Sequence, residues 1–420
     1  MNAYSRAQRL FDELANLSAD PPGVTRASYG PVETAAHDMI RREADIIGLE
    51  HRTDEIGNLY VTLPGQDRRA PVVMTGSHLD SVPHGGNYDG AAGVLAGLVM
   101  LERLSMGAQP PCDITLMVIR AEEMIWFPEH YLGSRAAFGL LPKETADRVR
   151  RSDSHRTLAE HMTEAGYDHH AIRSGDAQLD PKKIRAFVEV HIEQGPVLVD
   201  ADVPIGIVTG IRGNIRHRYA TISGETTHAG GVPRQNRRDA VMAGAELVQT
   251  LDHWWQQAEA AGEDMVLTIG EFSTDPARHG ITKVPGHVSF TLDMRSQSTA
   301  TLDQFDRFLR SKMAEVADRR GVVFDLGAAT RAAPALMPPE IQSSLATAAV
   351  QCGVDHISLP SGGGHDCATF AEMGVSTGMI FIRNQNGSHN PDEHMDFADF
   401  CCAADVLTKW VKNSLANLQT

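Results

Sequence analysis

Between residues 57 and 123 three short apolar runs, NLYVTL, PVVMTGS and DITLMVIRA, are interleaved with one helix-like stretch, AAGVLAGLVMLERLSM. Strand-length runs alternating with a helical pattern give the order of an α/β sheet. In such sheets the loops that carry chemistry leave the carboxyl ends of the strands. Both TGSHLD and RAEE fall at such ends.

A second texture interrupts the first. Residues 141–183 are polar and helix-leaning, and FVEVHIEQG then supplies another strand end. After about residue 212 the order becomes a strand (HRYATISGE), a helix (RRDAVMAGAELVQTLDHWWQQ), two strands (MVLTIGEF and GHVSFTLDMR) and a helix (TLDQFDRFLRSKMAEVADRRG). That β-α-β-β-α order predicts a small α+β sandwich of one sheet and two helices. The α/β texture returns with IQSSLATAAVQCG, the turn SGGGHDCATFAEMG, the strand TGMIFI and a last helix. A chain of 420 residues suits two domains. The expected division is a discontinuous catalytic domain, 1–211 and 326–420, with an inserted domain over 212–325.

Composition removes several classes of function. A formal net charge of −16 opposes binding to phosphate backbones and anionic lipid, so no nucleic-acid or membrane partner is expected. Five cysteines, odd in number and without CxxC spacing, argue against a disulfide framework or a thiolate zinc knot. The N-terminal MNAYSRAQRLFDELANL reads as a polar amphipathic helix rather than a signal peptide. No stretch approaches the roughly 18 apolar residues that would span a bilayer. The resulting expectation is a cytoplasmic protein.

The stretch TGSHLDSVPHGGNYDG places His78, Asp80 and Asp89 in a glycine-rich loop at a strand end. Alone, His78 and Asp80 read equally well as a loop histidine satisfied by its neighbour. Other strand ends bring the same chemistry: Glu122 and Glu123 after DITLMVIRA, His191 in EVHIEQGP, and later His389 in NGSHNPDE. Imidazole and carboxylate are the ligands of zinc, manganese and related divalent ions where no thiolate is offered. The set suffices for two ions, with Asp89 as the natural bridge, His78 and His191 on one side, and Glu123 and His389 on the other. Spacing alone does not establish that assignment. Successive side chains leaving a strand diverge, so Glu123 can ligate while Glu122 serves as a general base; a pair of solvated surface acids is the alternative.

The motifs GSHLDSVPHGGNYDGAAGVLAG, AEE, HIEQGPVL, TTHAGGVP, SGGGHDC and SHNPDE, in this order, resemble the hydantoinase/carbamoylase branch of the dinuclear metal-dependent amidohydrolases. That branch includes N-carbamoyl-L-amino-acid hydrolases, β-ureidopropionases and allantoate amidohydrolases, and is related to aminoacylases and dipeptidases. The resemblance implies a metallopeptidase-like catalytic domain with an inserted lid and dimerisation domain, hence a homodimer. It implies His78, Asp89, Glu123, His191 and His389 as ligands of two divalent ions (zinc, or manganese, cobalt or nickel), with Glu122 as general base and Asp80 orienting His78. It further implies that His228 reaches the partner subunit's active site to steady an oxyanion, and that Gln194, Arg295 and the backbone at Gly363 and Gly364 contact substrate. Arg295 would clamp a substrate carboxylate through paired donors, or form a salt bridge within the inserted domain.

The sequence departs from the family pattern in three places. MIWFPEHYLGS follows the paired glutamates, so Met124, Ile125 and Trp126 make a bulkier, less polar wall and His130 adds a titratable group. Ile125 and Phe127 are expected to pack beneath the sheet. Thr282, in TKVP, stands where relatives carry a substrate-touching asparagine, and HAGGVPR replaces HAGTTPM, bringing in Arg234. The expected reaction is hydrolysis of a linear amide or ureido C–N bond in a small carboxylate-bearing molecule, foremost an N-carbamoyl-L-amino acid. An N-acyl-amino-acid deacylase or a dipeptidase is the alternative, and a non-catalytic binding protein a remote one.

Overall fold

The strand-forming runs owe their position to burial on both faces. All six residues of Ile114–Ile119 are buried, as are the last six of Val72–His78 and eight of the nine in Ile184–Ile192. Continuous apolar strands of this kind belong to parallel sheets covered on both sides. In the computed structural model, which describes residues 2–416, the chain divides into two compact units, Met1–Thr209 with Leu336–Thr420, and Gly210–Ala335.

The first unit is built on a mixed sheet with nine strands among the described residues. Its centre is a parallel run in the order Thr377–Ile382, Ile184–Ile192, Val72–His78, Ile114–Ile119. Leu59–Leu63 and Glu50–Thr53 extend it antiparallel on one side, and Ile205–Ile211 pairs antiparallel with Thr377–Ile382 on the other. Register aligns the carboxyl ends: His78 lies opposite Ile119, and His191 opposite Phe381. The helix Ala91–Ser105, buried over nearly its whole surface, packs against these strands. The fold class is thus the expected mixed α/β.

Leaving Ile119, the chain turns through Arg120 and Ala121, the latter in a left-handed conformation (φ 53°). A fully buried ion pair holds that turn. Arg120 meets Glu33 at 2.7 Å and also donates to the Gly57 carbonyl and the Tyr167 hydroxyl. Glu33 in return accepts from the backbone N–H groups of Tyr29 and Ala121. Removing one partner of a buried pair leaves an uncompensated charge. Arg120→Met is therefore expected to cost about 3–5 kcal/mol, read as a lower midpoint in chemical denaturation.

The second unit is a six-stranded sheet with the helices Ala240–Ala260 and Thr299–Arg320, as the β-α-β-β-α reading expects. Gly213–Ser223 and His287–Ser296 form its antiparallel centre, and their alternate buried residues share a core with Leu247, Leu251, Phe305 and Leu309. Two details differ from the sequence reading. MVLTIGEF is broken into Val266–Thr268 and Phe272–Thr274, because the backbone of Glu271 turns to exchange hydrogen bonds with Thr291. The unit also runs beyond 325, because Ala329–Ala332 pairs with the same central strand at Asn214–His217. Among the described residues no helix is long and apolar enough to cross a membrane.

Candidate metal centre

Asp80 organises the site without belonging to either of its ligand groups. Its Oδ1 and Oδ2 accept, each at 3.1 Å, the backbone N–H groups of Glu122 and Glu123, so one carboxylate fastens the glutamate pair to the His78 loop. Ser28 donates its hydroxyl to the same carboxylate at 2.6 Å. The His78 Nδ1 lies 3.1 Å from the Asp80 carbonyl and 3.3 Å from its Oδ1. These acceptors place the ring proton on Nδ1, which leaves Nε2 facing Asp89 Oδ1 at 3.4 Å and Glu122 Oε2 at 3.8 Å.

His191 is set the same way. Its Nδ1 meets the Ile192 carbonyl at 2.9 Å, and its Nε2 accepts the Gly90 N–H at 3.2 Å and faces Asp89 Oδ1 at 3.0 Å. Gly90 is required here: its φ is +65°, and a Cβ would lie 2.6 Å from the His78 ring. On the other side of Asp89, its Oδ2 is 3.5 Å from His389 Nε2, which in turn is 3.6 Å from Glu123 Oε1. Two groups result, His78 with Asp89 and His191, and Asp89 with Glu123 and His389. Within each, one potential ligand atom per residue lies within 4.8 Å of the others.

The donor set fits a cation in both places. In the first group the Nε2 atoms of His78 and His191 converge on one carboxylate oxygen of Asp89, the ligand types a divalent ion takes. In the second, Glu123 Oε1 is buried and has no hydrogen-bond partner, a costly state for a carboxylate oxygen unless a positive charge meets it. The electrostatics agree. Burial opposes charge on His78, His191 and Asp89 alike, yet the surrounding acids raise both imidazoles, and as imidazolium groups these hold the Asp89 carboxyl well below its usual range, a positive charge that a bound divalent ion would supply instead. Burial and then the Asp89 charge push Glu123 well above its usual range. For Glu122, burial again dominates, and Glu123 and Asp366 add to it against the opposing effect of His78.

Further residues support the centre. Gln194 donates from Nε2 to Asp89 Oδ2 at 3.0 Å and lies 3.4 Å from His389 Nε2. Gly363 and Gly364 pass where no side chain fits, since a Cβ would lie 2.2 Å from Gln194 Oε1 and 1.7 Å from the Tyr131 hydroxyl, respectively. Sequence reasoning missed Glu393, which accepts the Tyr88 and Asp89 N–H groups, and Ser388, whose hydroxyl contacts both Asp89 and Glu393. It also missed His365, packed 4.4 Å from the His191 ring and hydrogen-bonded to Ser361. Glu393, Ser388 and His365 all sit in motifs already singled out, so a signal existed; Ser28 had none.

Behind the glutamate pair the outcome is mixed. Phe127 is buried as expected, but Ile125 is 51% exposed. The chain turns tightly there, with the Trp126 N–H returning to the Glu123 carbonyl, so Ile125 occupies the tip of the turn. Trp126 goes inward instead, its indole N–H donating to the Ser81 carbonyl at 2.7 Å.

His228, Thr282 and Arg295 belong to the second unit. Thr227–His228 pairs with Lys283–Val284, and the Thr282 carbonyl accepts the Ala229 N–H, which brings His228 and Thr282 together. The exposed His228 accepts at Nδ1 from the N–H groups of Gly230 and Gly231, which places its proton on Nε2. Arg295 meets Asp293 at 2.8 Å, a carboxylate that also pairs with Arg216. That pair is the salt bridge named above as the alternative reading. Arg234 is exposed, in a short 3-10 turn.

A mixed α/β sheet that gathers two acid–imidazole groups around one carboxylate, with a further buried glutamate at hand, defines the class as metallopeptidase-like hydrolases. Residues 74–413 match the sequence model of peptidase family M20/M25/M40, and the chain belongs to that family. It is an amidohydrolase acting on non-peptide C–N bonds. An N-carbamoyl-L-amino acid amidohydrolase of Geobacillus stearothermophilus is 36% identical over 96% of this chain and 97% of that one. An allantoate amidohydrolase of Escherichia coli is 34% identical over 94% of each. The crystal structure of a hydantoinase/carbamoylase family amidase from Burkholderia multivorans superposes with a TM-score of 0.87 at 29% identity, covering 97% of this chain and 96% of that one.

Proposed function

We propose that the protein hydrolyses the ureido C–N bond of an N-carbamoyl-L-amino acid, releasing the amino acid, ammonia and carbon dioxide. The observation that carries this reading is the pair of ligand groups meeting at Asp89 with Glu122 Oε2 beside them. The name of the Geobacillus relative supports the substrate. In this reading each subunit holds two divalent ions, zinc or else manganese, cobalt or nickel, through His78, Asp89, His191, Glu123 and His389. When bound, such ions supply Lewis acidity, lowering the pKa of water and polarising the substrate carbonyl.

The chain's own residues then move the protons. Glu122, whose carboxyl is held well above its usual range chiefly by burial, takes a proton from the attacking water at Oε and returns it to the departing nitrogen. Asp80 keeps Glu122 in place through the backbone and orients His78. Gln194 and the backbone at Gly363 and Gly364 line the substrate. Arg295, whose guanidinium presents paired donors to a planar anion, is the proposed clamp for the substrate carboxylate. We place the protein in the cytoplasm as a homodimer, with His228 Nε2–H donating to the developing oxyanion of the partner subunit's site.

His228→Ala should lower kcat by about 10²–10³-fold with metal content and melting curve unchanged. Mixing inactive E122Q and H228A chains should restore turnover, because one site of a mixed dimer carries both native residues. No recovery after subunit exchange would contradict the cross-subunit role.

The name of the Escherichia coli relative favours a second substrate, allantoate, itself a linear ureide with a carboxylate. Metal-reconstituted protein should be assayed against allantoate and against carbamoyl, formyl, acetyl and peptidyl derivatives of one amino acid, with ammonia measured separately. Ammonia release highest with the carbamoyl compound is the expected result. Preference for the acetyl or peptidyl compound would overturn the proposal in favour of a deacylase or a dipeptidase.

A further inference from the structure

We propose that the first unit carries a second binding site, for a small molecule bearing phosphate or carboxylate groups, in a cleft at the amino ends of the parallel strands. The cleft has a volume of about 970 Å³, within the range of small-molecule sites. Its floor is the sheet itself, through Tyr60, Thr62, Met74 and Thr115. Val72 and Ile184, which begin the strands that carry His78 and His191, also line it. At about 3.3 Å per residue, a strand of this length separates the cleft from the metal centre by roughly 20 Å.

Charge identifies the ligand. Arg68 is neutralised by Glu50 at 2.7 Å and Asp113 at 2.9 Å. Arg52, Arg69 and Lys183 also line the cleft, and among the described residues none of them has a carboxylate within ion-pair distance. One acid of the rim, Asp180, is turned to its own backbone, accepting the Lys182 N–H at 3.0 Å. The lining as a whole carries four cations and three carboxylates, Glu50, Asp113 and Asp180, an excess of one positive charge in a chain of net charge −16. Because two of those carboxylates sit on Arg68, the side chains of Arg52, Arg69 and Lys183 are left to attract an anion that can bridge them. The Arg52 guanidinium lies 3.9 Å over the Tyr60 ring, so its planar fork is restrained before a ligand arrives. A membrane or nucleic acid would bring its own extended negative charge against the rest of the acidic chain. A metabolite-sized anion avoids that repulsion.

The test is isothermal titration of the full-length, metal-loaded protein with inorganic phosphate, succinate and phosphoglycolate at constant ionic strength. Saturable binding of at least one probe is expected at one site per chain beyond any at the metal centre. It should weaken by about tenfold or more in the R52Q/R69Q/K183Q variant, with turnover and melting curve unchanged. Should the triple variant fail to fold, Lys183→Gln alone, at an exposed position, is expected to weaken the same binding measurably. Tighter phosphate than succinate binding would assign a phosphoryl ligand, and the reverse a carboxylate. Absence of saturable binding for all three probes, or equal affinity in wild type and variants, would overturn the proposal.

Discussion

Glu122→Gln is expected to lower kcat by about 10²–10⁴-fold while leaving metal content unaltered. The amide is nearly isosteric with the carboxyl, and the backbone N–H that ties this residue to Asp80 Oδ1 is untouched, so the loop keeps its shape. Only the ability to accept and return a proton disappears. Glu122 lies in neither ligand group, which is why metal analysis and turnover should separate. Wild-type kcat/KM should fall as pH drops and Glu122 becomes protonated, and that acidic limb should be absent from the variant's residual activity. A variant that turns over normally would place the base elsewhere.

Asp89→Asn is expected to empty both ligand groups together. Oδ1 faces His78 and His191, and Oδ2 faces His389, with Gln194 donating to it. Substitution removes the charge on which both groups converge and puts an N–H donor where one of them needs an acceptor. Loss of an outer hydrogen-bond partner typically weakens metal binding about 10–100-fold; loss of the shared ligand should exceed that at both positions. Mass spectrometric metal analysis after dialysis should find fewer than one equivalent per chain, and turnover should fall with it. His389→Ala is the contrast, because this half-exposed side chain belongs to one group alone. It should leave one equivalent bound. Equal losses in the two variants would contradict a shared carboxylate.

The strands and their chemistry were legible together because the same property writes both. A run buried on both faces is apolar to its end, so the acids and histidines that follow it stand out. His78, Glu122, Glu123 and His191 were visible for that reason, and the register of the parallel strands brings them to one end of the sheet. Asp89 and His389 lie in loops rich in glycine and polar residues, and their convergence depends on Glu393 and Ser388 linking segments about 300 residues apart. No local pattern encodes such a link. The same holds for the Glu33–Arg120 pair, which holds the Ala121 turn from 87 residues away. Ile125 was misplaced because its apolar side chain reads as a buried one, while the tight turn from Glu123 to Trp126 carries it to the surface. The inserted unit was recognisable from its element order, but its last strand, Ala329–Ala332, is short, fully exposed and alanine-rich. Only its pairing with Gly213–Ser223 marks it as part of that sheet.

Anomalous diffraction from crystals grown with zinc or manganese tests the central claim most directly. The account predicts two anomalous peaks per chain, one among His78, Asp89 and His191 and one among Asp89, Glu123 and His389, with the Asp89 carboxylate between them. A map with no peak beside Asp89, or with the metal bound only by other residues, would contradict it.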